Sequence, residues 1–263
     1  MQLRDRKILL TGATGGIGKA LVNVLLDAGA RLVLAGRDLP ALQKMAILLG
    51  QDRVNVALLD LGSEQVTQQA AALGQLHPDI DVVLNCAGRN LFAACDKTDA
   101  VQAAAILDVN LKGTILLTQA LLPVLLGRPQ AMIVNVGSTF GSIGYPGFAV
   151  YCASKFGLRG YTEALRRELV NSSVKVVYIA PRATATDMNE ATVVAMNNEL
   201  GNRMDEPSAV AASVVRAMQR ERPRLFIGWP EKLFVVLNGV VTGMVDKALR
   251  KQLPVIQRFL SNE

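Results

Sequence analysis

Two residues with complementary acid–base chemistry, Tyr151 and Lys155, stand four positions apart in the segment Tyr151–Val170, which has a helical pattern of apolar residues. On a helix this spacing places both side chains on one face, so their polar ends reach the same site. A tyrosine with an ordinary pKa of about 10 is a poor acid or base at neutral pH, whereas a neighbouring ammonium favours the phenolate and lowers that pKa. The pair predicts an acid–base tyrosine tuned by a lysine, although an isolated YxxxK is more often a packed tyrosine followed by a solvated lysine.

A serine at the end of a buried strand is a further candidate. Ser138 follows the apolar run Ala131–Val136, and ligands of parallel sheets bind at the carboxyl ends of the strands. There its hydroxyl can donate a hydrogen bond to a carbonyl oxygen. The alternative interpretation is a helix cap or a turn residue.

A glycine-rich turn, Thr11–Gly18, joins the first strand-like run to a helical pattern. Glycines permit a tight turn and a close approach to a pyrophosphate, and the N-terminus of the next helix offers free N–H groups. Glycine also serves ordinary turns, but the position directly after the first strand favours a dinucleotide site.

The elements that must position these residues alternate along the chain. Strands are predicted at Lys7–Leu10, Arg31–Ala35, Val54–Leu59, Asp81–Asn85, Ala131–Val136, Val174–Ile179 and Leu225–Ile227. Helices are predicted at Ile17–Ala28, Leu39–Leu49, Glu64–Leu76, Ala100–Leu126, Tyr151–Val170 and Ser208–Arg220. Continuously apolar strands are buried on both faces, so the sequence predicts an α/β fold: a doubly wound parallel sheet (Rossmann fold) of about seven strands with helices on both faces.

Several motifs agree in order and spacing with those of one family. The glycines of the turn match TGxxxGxG, and Asn85–Gly88 is similar to NNAG with Cys86 in place of the second asparagine. Further matches are Asn110, Ser138, the YxxxK pair, Pro181 at the end of the sixth strand, and Thr184 and Thr186 beyond it. Arg182 departs from the pattern, because a glycine usually follows that proline. Over about residues 5–228 the chain resembles the short-chain dehydrogenase/reductase family.

This resemblance implies hydride transfer between a nicotinamide and a carbonyl or secondary alcohol. Tyr151 would donate or accept the proton, and Ser138 would hold the substrate oxygen. Lys155 would bind the nicotinamide ribose, and Asn110 would hold a proton-relay water near it. The implied coenzyme-binding residues are Gly12, Thr14, Gly15, Gly16, Ile17, Gly18, Arg37, Asp60, Leu61, Asn85, Ala87, Gly88, Tyr151, Lys155, Pro181, Thr184 and Thr186.

The choice of coenzyme depends on the end of the second strand. An acidic residue there would accept the ribose hydroxyls of NAD, whereas an arginine pairs with the 2′-phosphate of NADP. Arg37 comes first, and Asp38 is better explained as the N-cap of the next helix. NADP(H) is therefore expected, with NAD as the alternative, because Thr14 supplies no second basic anchor for the phosphate.

Composition excludes other classes of protein. The chain has 263 residues, 51% of them apolar, and a net charge of +6, which describes a globular protein with ample core. The Lys and Arg residues are scattered, so no nucleic-acid partner is expected. The single histidine, His77, and three cysteines without a CxxC pair predict no metal site and no disulfide framework. A reducing cytoplasm is the expected location, since no leader-like segment precedes the first strand and the apolar segment Leu233–Val245 is too short to span a bilayer.

The division of the chain follows from the same alternation. Residues 1–228 are expected to form one catalytic domain, in which the irregular segment 182–207 is a substrate loop with Met188, Met196 and Met204 as an adaptable apolar wall. Residues 229–263 are expected to form a helical tail, with apolar positions at helical intervals from Glu231 to Leu249. It either covers the cleft or a neighbouring subunit, or rests on anionic lipid headgroups as a peripheral membrane contact.

The leading functional prediction is an NADP(H)-dependent oxidoreductase acting on a small lipophilic carbonyl compound or alcohol. A 3-oxoacyl-thioester reductase with an acyl carrier protein is an alternative, and a non-catalytic NADP-sensing protein is an alternative of another class. The complete set of Ser138, Tyr151 and Lys155 argues against the sensor. More apolar residues than one buried helix face needs are found in Ala100–Leu126 and Tyr151–Val170. Because the corresponding helices pair as a four-helix bundle in the resembled family, we expect a homodimer or homotetramer.

Overall fold

A seven-stranded parallel sheet forms the centre of the molecule, with the strand order β3-β2-β1-β4-β5-β6-β7. The computed structural model describes residues 1–50 and 52–261. Its strands are β1 Lys7–Thr11, β2 Arg31–Gly36, β3 Val54–Leu58, β4 Ile80–Asn85, β5 Ala131–Val136, β6 Val174–Ala180 and β7 Arg224–Phe226. The order reverses between β1 and β4, and such a switch point leaves a crevice at the carboxyl ends of the strands, where a ligand binds. The predicted doubly wound fold is confirmed.

Side chains on the two faces of the sheet enter two separate cores. Along β1, Ile8 and Leu10 pack with helix residues such as Leu21 and Val214, whereas Leu9 points to the opposite core with Leu117. Every residue of β4 and β5 is buried, which explains why these strands are apolar almost throughout. Burial of each such aliphatic side chain contributes about 1.5–3 kcal/mol, so the carboxyl edge of the sheet is a rigid platform.

The helices are α1 Gly16–Asp27, α2 Leu39–Leu49, α3 Val66–Leu76, α4 Ala100–Leu107, α5 Gly113–Leu126, α6 Ala149–Glu168, α7 Ala191–Glu199, α8 Pro207–Gln219, α9 Glu231–Val240 and α10 Thr242–Ser261. The predicted helix Ala100–Leu126 is interrupted by a π-helical turn, Asp108–Lys112, between α4 and α5. At its end Gly113 lies so close to the loop after β3 that a Cβ would come within 2.1 Å of the Leu61 carbonyl oxygen.

Segment 100–126 is also long and apolar enough to span a membrane by length and composition, the only such helix among the described residues. Its residues Leu117, Leu121 and Leu125 are fully buried against the sheet. Burial at intervals of four residues is typical of a core helix of an α/β protein.

Two predictions for the second half of the chain need correction. The segment expected to be an irregular substrate loop contains α7, because Val193 and Met196 pack into a small core with Phe92 and Ile256. Only these two apolar residues of α7 face inward, which makes its periodicity too weak to recognise from the sequence. The tail forms two helices, not one continuous pattern, and they meet at Val241. The last two residues of the predicted tail, 262 and 263, lie outside the described range.

Candidate active site

Tyr151 and Lys155 lie on the first turns of α6, below the carboxyl end of β5. The Lys155 Nζ atom lies 5.7 Å from the centroid of the Tyr151 ring and donates a hydrogen bond to the Val136 carbonyl oxygen at 3.1 Å. Only 4% of the Lys155 surface is exposed. The helical spacing thus brings the two polar groups together, as the sequence predicted.

Burial controls the protonation of both groups. Desolvation raises the pKa of Tyr151 to about 12, with a smaller opposing effect from the hydrogen bond to the Ser138 side chain. Desolvation also lowers the pKa of Lys155 to about 8. The expectation that Lys155 lowers the pKa of Tyr151 below its ordinary value is wrong for this structure, because the ammonium is bound to a backbone carbonyl at the edge of β5 and burial dominates. At neutral pH Tyr151 is therefore a protonated hydroxyl, ready to donate.

Ser138 leaves β5 and faces the same space. Its Oγ atom accepts a hydrogen bond from the Phe140 backbone N–H at 3.1 Å, so it also caps the short helical turn that follows. From below, the Tyr178 hydroxyl donates to the Ser138 carbonyl oxygen at 3.3 Å. A Cβ at Gly137 would come within 2.2 Å of the Tyr178 hydroxyl, which shows how closely this tyrosine supports the loop. Tyr178 is a supporting residue that no sequence motif indicated.

Asn110 sits in the π-helical turn and is almost fully buried. Its Oδ1 atom accepts from the Arg89 N–H at 2.7 Å, and its Nδ2 atom donates to the Arg89 carbonyl and to Ser154 Oγ. Ser154 Oγ in turn donates to the Tyr151 carbonyl oxygen at 2.7 Å. The side chain of Asn110 thus ties the loop after β4 to α6, beside Lys155.

The glycine-rich turn is a cradle that side chains would fill. Gly12 has φ +74°, and a Cβ there would lie 2.7 Å from the Ala87 Cα atom. A Cβ at Gly18 would lie 1.9 Å from the Gly12 carbonyl oxygen, and one at Gly16 would lie 2.4 Å from the Thr186 side chain. The N-cap of α1, Gly15, provides no side-chain cap, so the first N–H groups of the helix remain open to an anion. These residues fit a coenzyme pyrophosphate.

The end of β2 carries a free cation. Arg37 is exposed and, within residues 1–50 and 52–261, forms no salt bridge. Asp38 accepts a hydrogen bond from the Ala41 N–H at 3.0 Å and caps α2, as predicted. At the end of β3, Asp60 accepts from the Gly62 N–H, and Leu61 is buried.

The other implied coenzyme residues differ in how they face the crevice. The Asn85 side chain points inward and donates to Asn135 Oδ1 at 2.8 Å, so only its backbone borders the carboxyl edge. The N–H groups of Cys86 and Ala87 donate to Thr11 Oγ1, and Gly88 packs against Asn110 and Lys155. The Pro181 carbonyl oxygen accepts a hydrogen bond from the Thr139 N–H, and Thr184 Oγ1 donates to the Arg182 carbonyl oxygen. Thr14 lies in the glycine-rich turn, and Ile17 lies at the start of α1.

Comparison with known proteins decides the family. A sequence profile described as short chain dehydrogenase matches residues 6–197. The chain is also 31% identical over 221 residues to an uncharacterised oxidoreductase of Staphylococcus aureus strain USA300, an alignment that covers 84% of this chain and 94% of that protein. The chain belongs to the short-chain dehydrogenase family. It is an NAD(P)-dependent oxidoreductase.

Solved structures show the same fold. A short chain dehydrogenase from Burkholderia cenocepacia J2315, in complex with NADP, has a TM-score of 0.82 at 24% identity, covering 95% of this chain and 99% of that one. A short chain dehydrogenase/reductase from Burkholderia phymatum, in complex with NAD, also has a TM-score of 0.82, at 21% identity, covering 93% and 96%.

In this member of the family the catalytic-type residues form the floor of a cavity of about 560 Å³. Its walls are mainly apolar and aromatic and come from the loop after β5, from the segment around α7 and from the C-terminal helices: Phe140, Ile143, Tyr145, Phe148, Met188, Val193, Met196, Phe234, Val245, Ala248 and Leu249. Polar residues of the same lining are Asn189, Asn197, Asn202, Arg203 and Gln252. Met188 and Met196 thus lie in the wall as predicted, whereas Met204 does not line it. The four aromatic residues within 140–151, in a chain with only 5% aromatic residues, are the signal that could have indicated the wall beforehand.

Arg182, the departure from the family motif, joins three segments at the rim of this cavity. Its guanidinium pairs with Asp205 at 2.7 Å and with Glu231 at 3.2 Å, and it donates to the Trp229 carbonyl at 3.1 Å. Asp205 ends the segment that contains α7, and Glu231 begins α9. A Cβ at Gly228 would lie 2.5 Å from Arg182 Cδ, so the backbone there also leaves room for this side chain.

Proposed function

We propose that the enzyme is an NADP(H)-dependent reductase of neutral lipophilic carbonyl compounds that also oxidises the corresponding alcohols. The observation that carries the proposal is the position of Ser138, Tyr151 and Lys155 at the floor of an apolar cavity, next to an open glycine cradle. These polar groups can hold the substrate oxygen and supply one proton to it, and the cavity walls accept the apolar part of the substrate.

The residues that would hold the coenzyme follow the carboxyl edge of the sheet. The turn Gly12–Gly18 would receive the pyrophosphate of the coenzyme. Asp60 and Leu61 would contact its adenine, and Lys155 and Gly88 would contact its nicotinamide ribose. When bound, NADPH supplies the hydride that reduces the substrate carbon. Pro181, Thr184 and Thr186 lie where β6 ends and would border the nicotinamide.

The chain's own residues supply the proton and the position of the substrate oxygen. In carbonyl reduction the Tyr151 hydroxyl donates its proton to that oxygen, and the Ser138 hydroxyl donates a hydrogen bond to it. The high pKa of Tyr151 keeps this proton in place at neutral pH. In alcohol oxidation Tyr151 must begin as the phenolate, which the nearby Lys155 ammonium favours electrostatically, and it becomes the neutral hydroxyl when it accepts the proton.

Arg37 supports the preference for NADP(H). Its guanidinium is exposed at the end of β2, and the neighbouring carboxylate of Asp38 is occupied as a helix cap. A planar guanidinium binds a phosphate through two parallel hydrogen bonds. Fold neighbours in complex with NADP and with NAD are both known, so NAD is kept as the alternative coenzyme.

A coenzyme-coupled panel tests the proposal. Purified protein is assayed for NADPH and NADH oxidation with short and long aliphatic ketones and aldehydes, polycyclic ketones and 3-oxoacyl thioesters. We expect turnover of neutral apolar carbonyl compounds with NADPH. Turnover of 3-oxoacyl thioesters alone would support the carrier-linked alternative, and coenzyme binding without turnover of any compound would support a sensor.

We also propose that the enzyme assembles as a homodimer or homotetramer through α4, α5 and α6. Val101 and Leu107 on α4 and Phe156 on α6 are exposed apolar residues. Light scattering at micromolar concentration is expected to show at least a dimer, and Phe156→Glu to weaken it. A monomeric parent protein contradicts this assembly.

A further inference from the structure

Exposed apolar residues occur from the loop before α9 through α9 to the first turn of α10. We define the outer stripe as Trp229, Leu233, Val236, Val240, Val241 and Met244, all of them exposed, with Trp229 at 69%, Val236 at 62% and Val240 at 80%. Leu233, Val236 and Val240 stand three and four positions apart and therefore share one face of α9. The opposite face of α9 is also apolar, since Val235, Phe234 and Leu237 pack with Ile143 and Val245. A helix that is apolar on both sides is normally covered on both sides.

Positive charge continues the stripe along α10. Lys247 and Lys251 follow Met244 at intervals of three and four residues and are exposed. Lys232 and Arg250 add two more exposed cations. The acidic residues nearby do not neutralise them: Glu231 is paired with Arg182, and Asp246 is the one exposed carboxylate of the described part of the two helices. An apolar stripe flanked by unneutralised cations is complementary to a bilayer with anionic headgroups.

The same helices form a wall of the cavity. Phe234 of α9 and Val245, Ala248 and Leu249 of α10 line it from the inside, and Trp229 belongs both to the rim and to the outer stripe. The cavity and the outer stripe are therefore separated by a single layer of helix. Trp229 therefore connects the outer stripe with the rim of the cavity.

We propose that the outer stripe is a docking surface for an anionic lipid bilayer and that the cavity receives its substrate from that bilayer. The identity of the substrate rests on the proposed function, whereas docking itself does not. A second copy of the chain fits this surface less well. In an isologous contact the stripe of one copy faces the stripe of the other, so the exposed cations of both copies would be brought together with Asp246 as the one exposed carboxylate of the described part of the two helices to pair with them.

Vesicle flotation tests the docking surface. The full-length protein is mixed with vesicles of phosphatidylcholine containing about a third phosphatidylglycerol, or with phosphatidylcholine alone, at low and at high ionic strength. We expect binding to anionic vesicles to exceed binding to neutral vesicles by about tenfold and to fall with salt, because the exposed cations contribute electrostatic attraction. The double variant Lys247→Glu/Lys251→Glu should abolish that preference for anionic lipid.

A matched pair of double variants separates the stripe from general surface hydrophobicity. Val236→Asp/Val240→Asp changes two residues that are 62% and 80% exposed, and Ile47→Asp/Leu48→Asp changes two that are 65% and 79% exposed on α2. The first pair should reduce vesicle binding by about tenfold or more, and the second should leave it unchanged. Both should retain turnover of short, water-soluble carbonyl compounds, since neither pair lines the cavity. With a long-chain carbonyl compound dissolved in the vesicles, only the α9 variant should lose turnover.

The following results would contradict the inference or the proposed function. A parent protein that stays with the soluble fraction at low salt, or a Val236→Asp/Val240→Asp variant that still floats, excludes docking through the stripe. If that variant instead dissociates an oligomer in light scattering, the stripe is a subunit interface. Vesicle binding with no turnover of any carbonyl compound would overturn the proposed function while docking stands, and turnover without vesicle binding would do the reverse.

Discussion

The Nζ atom of Lys155 donates a hydrogen bond to the carbonyl oxygen of Val136 at 3.1 Å. This contact ties the first turns of α6 to the carboxyl end of β5 and holds an ammonium that is almost fully buried. Burial accordingly lowers the pKa of Lys155 from 10.5 to about 8. The ammonium beside Tyr151, to which we assign a role in the reaction, is therefore kept at a cost in folding stability.

That cost predicts a pH-dependent difference between the parent and Lys155→Met. Below pH 8 the lysine is protonated in both folded and unfolded chains, and the full penalty is present. Between pH 8 and 10.5 the unfolded chain holds a proton that the folded protein has released, so the stability of the parent rises with pH. From pH 7 to pH 10 the free energy of unfolding of the parent should gain roughly 2 to 3 kcal/mol relative to the variant. Urea unfolding at several pH values measures it. Lys44→Met, at an exposed position, should show no such trend, and a flat difference for Lys155→Met would refute the assigned shift.

Arg37→Ala should weaken NADPH binding by about tenfold or more, because it removes the guanidinium that we propose pairs with the 2′-phosphate. NADH lacks that phosphate, so its affinity should stay within about twofold of the parent value. Coenzyme titration by fluorescence gives both dissociation constants. As a control, Lys44→Ala removes an exposed cation of α2 and should change neither dissociation constant. Equal losses for NADPH and NADH would mean that Arg37 does not contact the phosphate.

Arg182→Ala should destabilise the rim of the cavity. The change leaves the Asp205 and Glu231 carboxylates without their shared cation, at a cost of about 2 kcal/mol in unfolding free energy. Because these carboxylates hold the α7 segment and α9, we expect KM for bulky apolar substrates to rise about tenfold and kcat to change less. In Arg182→Lys the ammonium can pair with one carboxylate but cannot bridge Asp205 and Glu231 as the guanidinium does. This variant should therefore recover only part of the lost stability and substrate affinity. Unchanged KM in Arg182→Ala would exclude a role in forming the cavity.

Local patterns made much of the site predictable, and tertiary contacts account for what was missed. The spacing of Tyr151 and Lys155 fixes a shared helix face whatever surrounds it, and the glycine turn is recognised from its local sequence directly after the first strand. The partners of Arg182, by contrast, lie 23 and 49 residues away in sequence and are brought together only by the folded chain. The same is true of Asn85, whose side chain turns inward to Asn135. The pKa values depend on burial, which no spacing reveals, so the sequence predicted the wrong direction for Tyr151.

The most direct test of the central claim is the Tyr151→Phe variant, which removes the hydroxyl and leaves the ring in its packing with Phe140 and Phe148. NADPH affinity is measured by titration, and carbonyl reduction by NADPH oxidation. Tyr161→Phe, on the same helix and outside the cavity, is the matched control. If Tyr151 donates the proton, its variant should bind NADPH within about threefold of the parent and lose about a hundredfold to ten-thousandfold in kcat, with Tyr161→Phe near the parent value. A Tyr151→Phe enzyme that turns over at the rate of the parent would contradict the account.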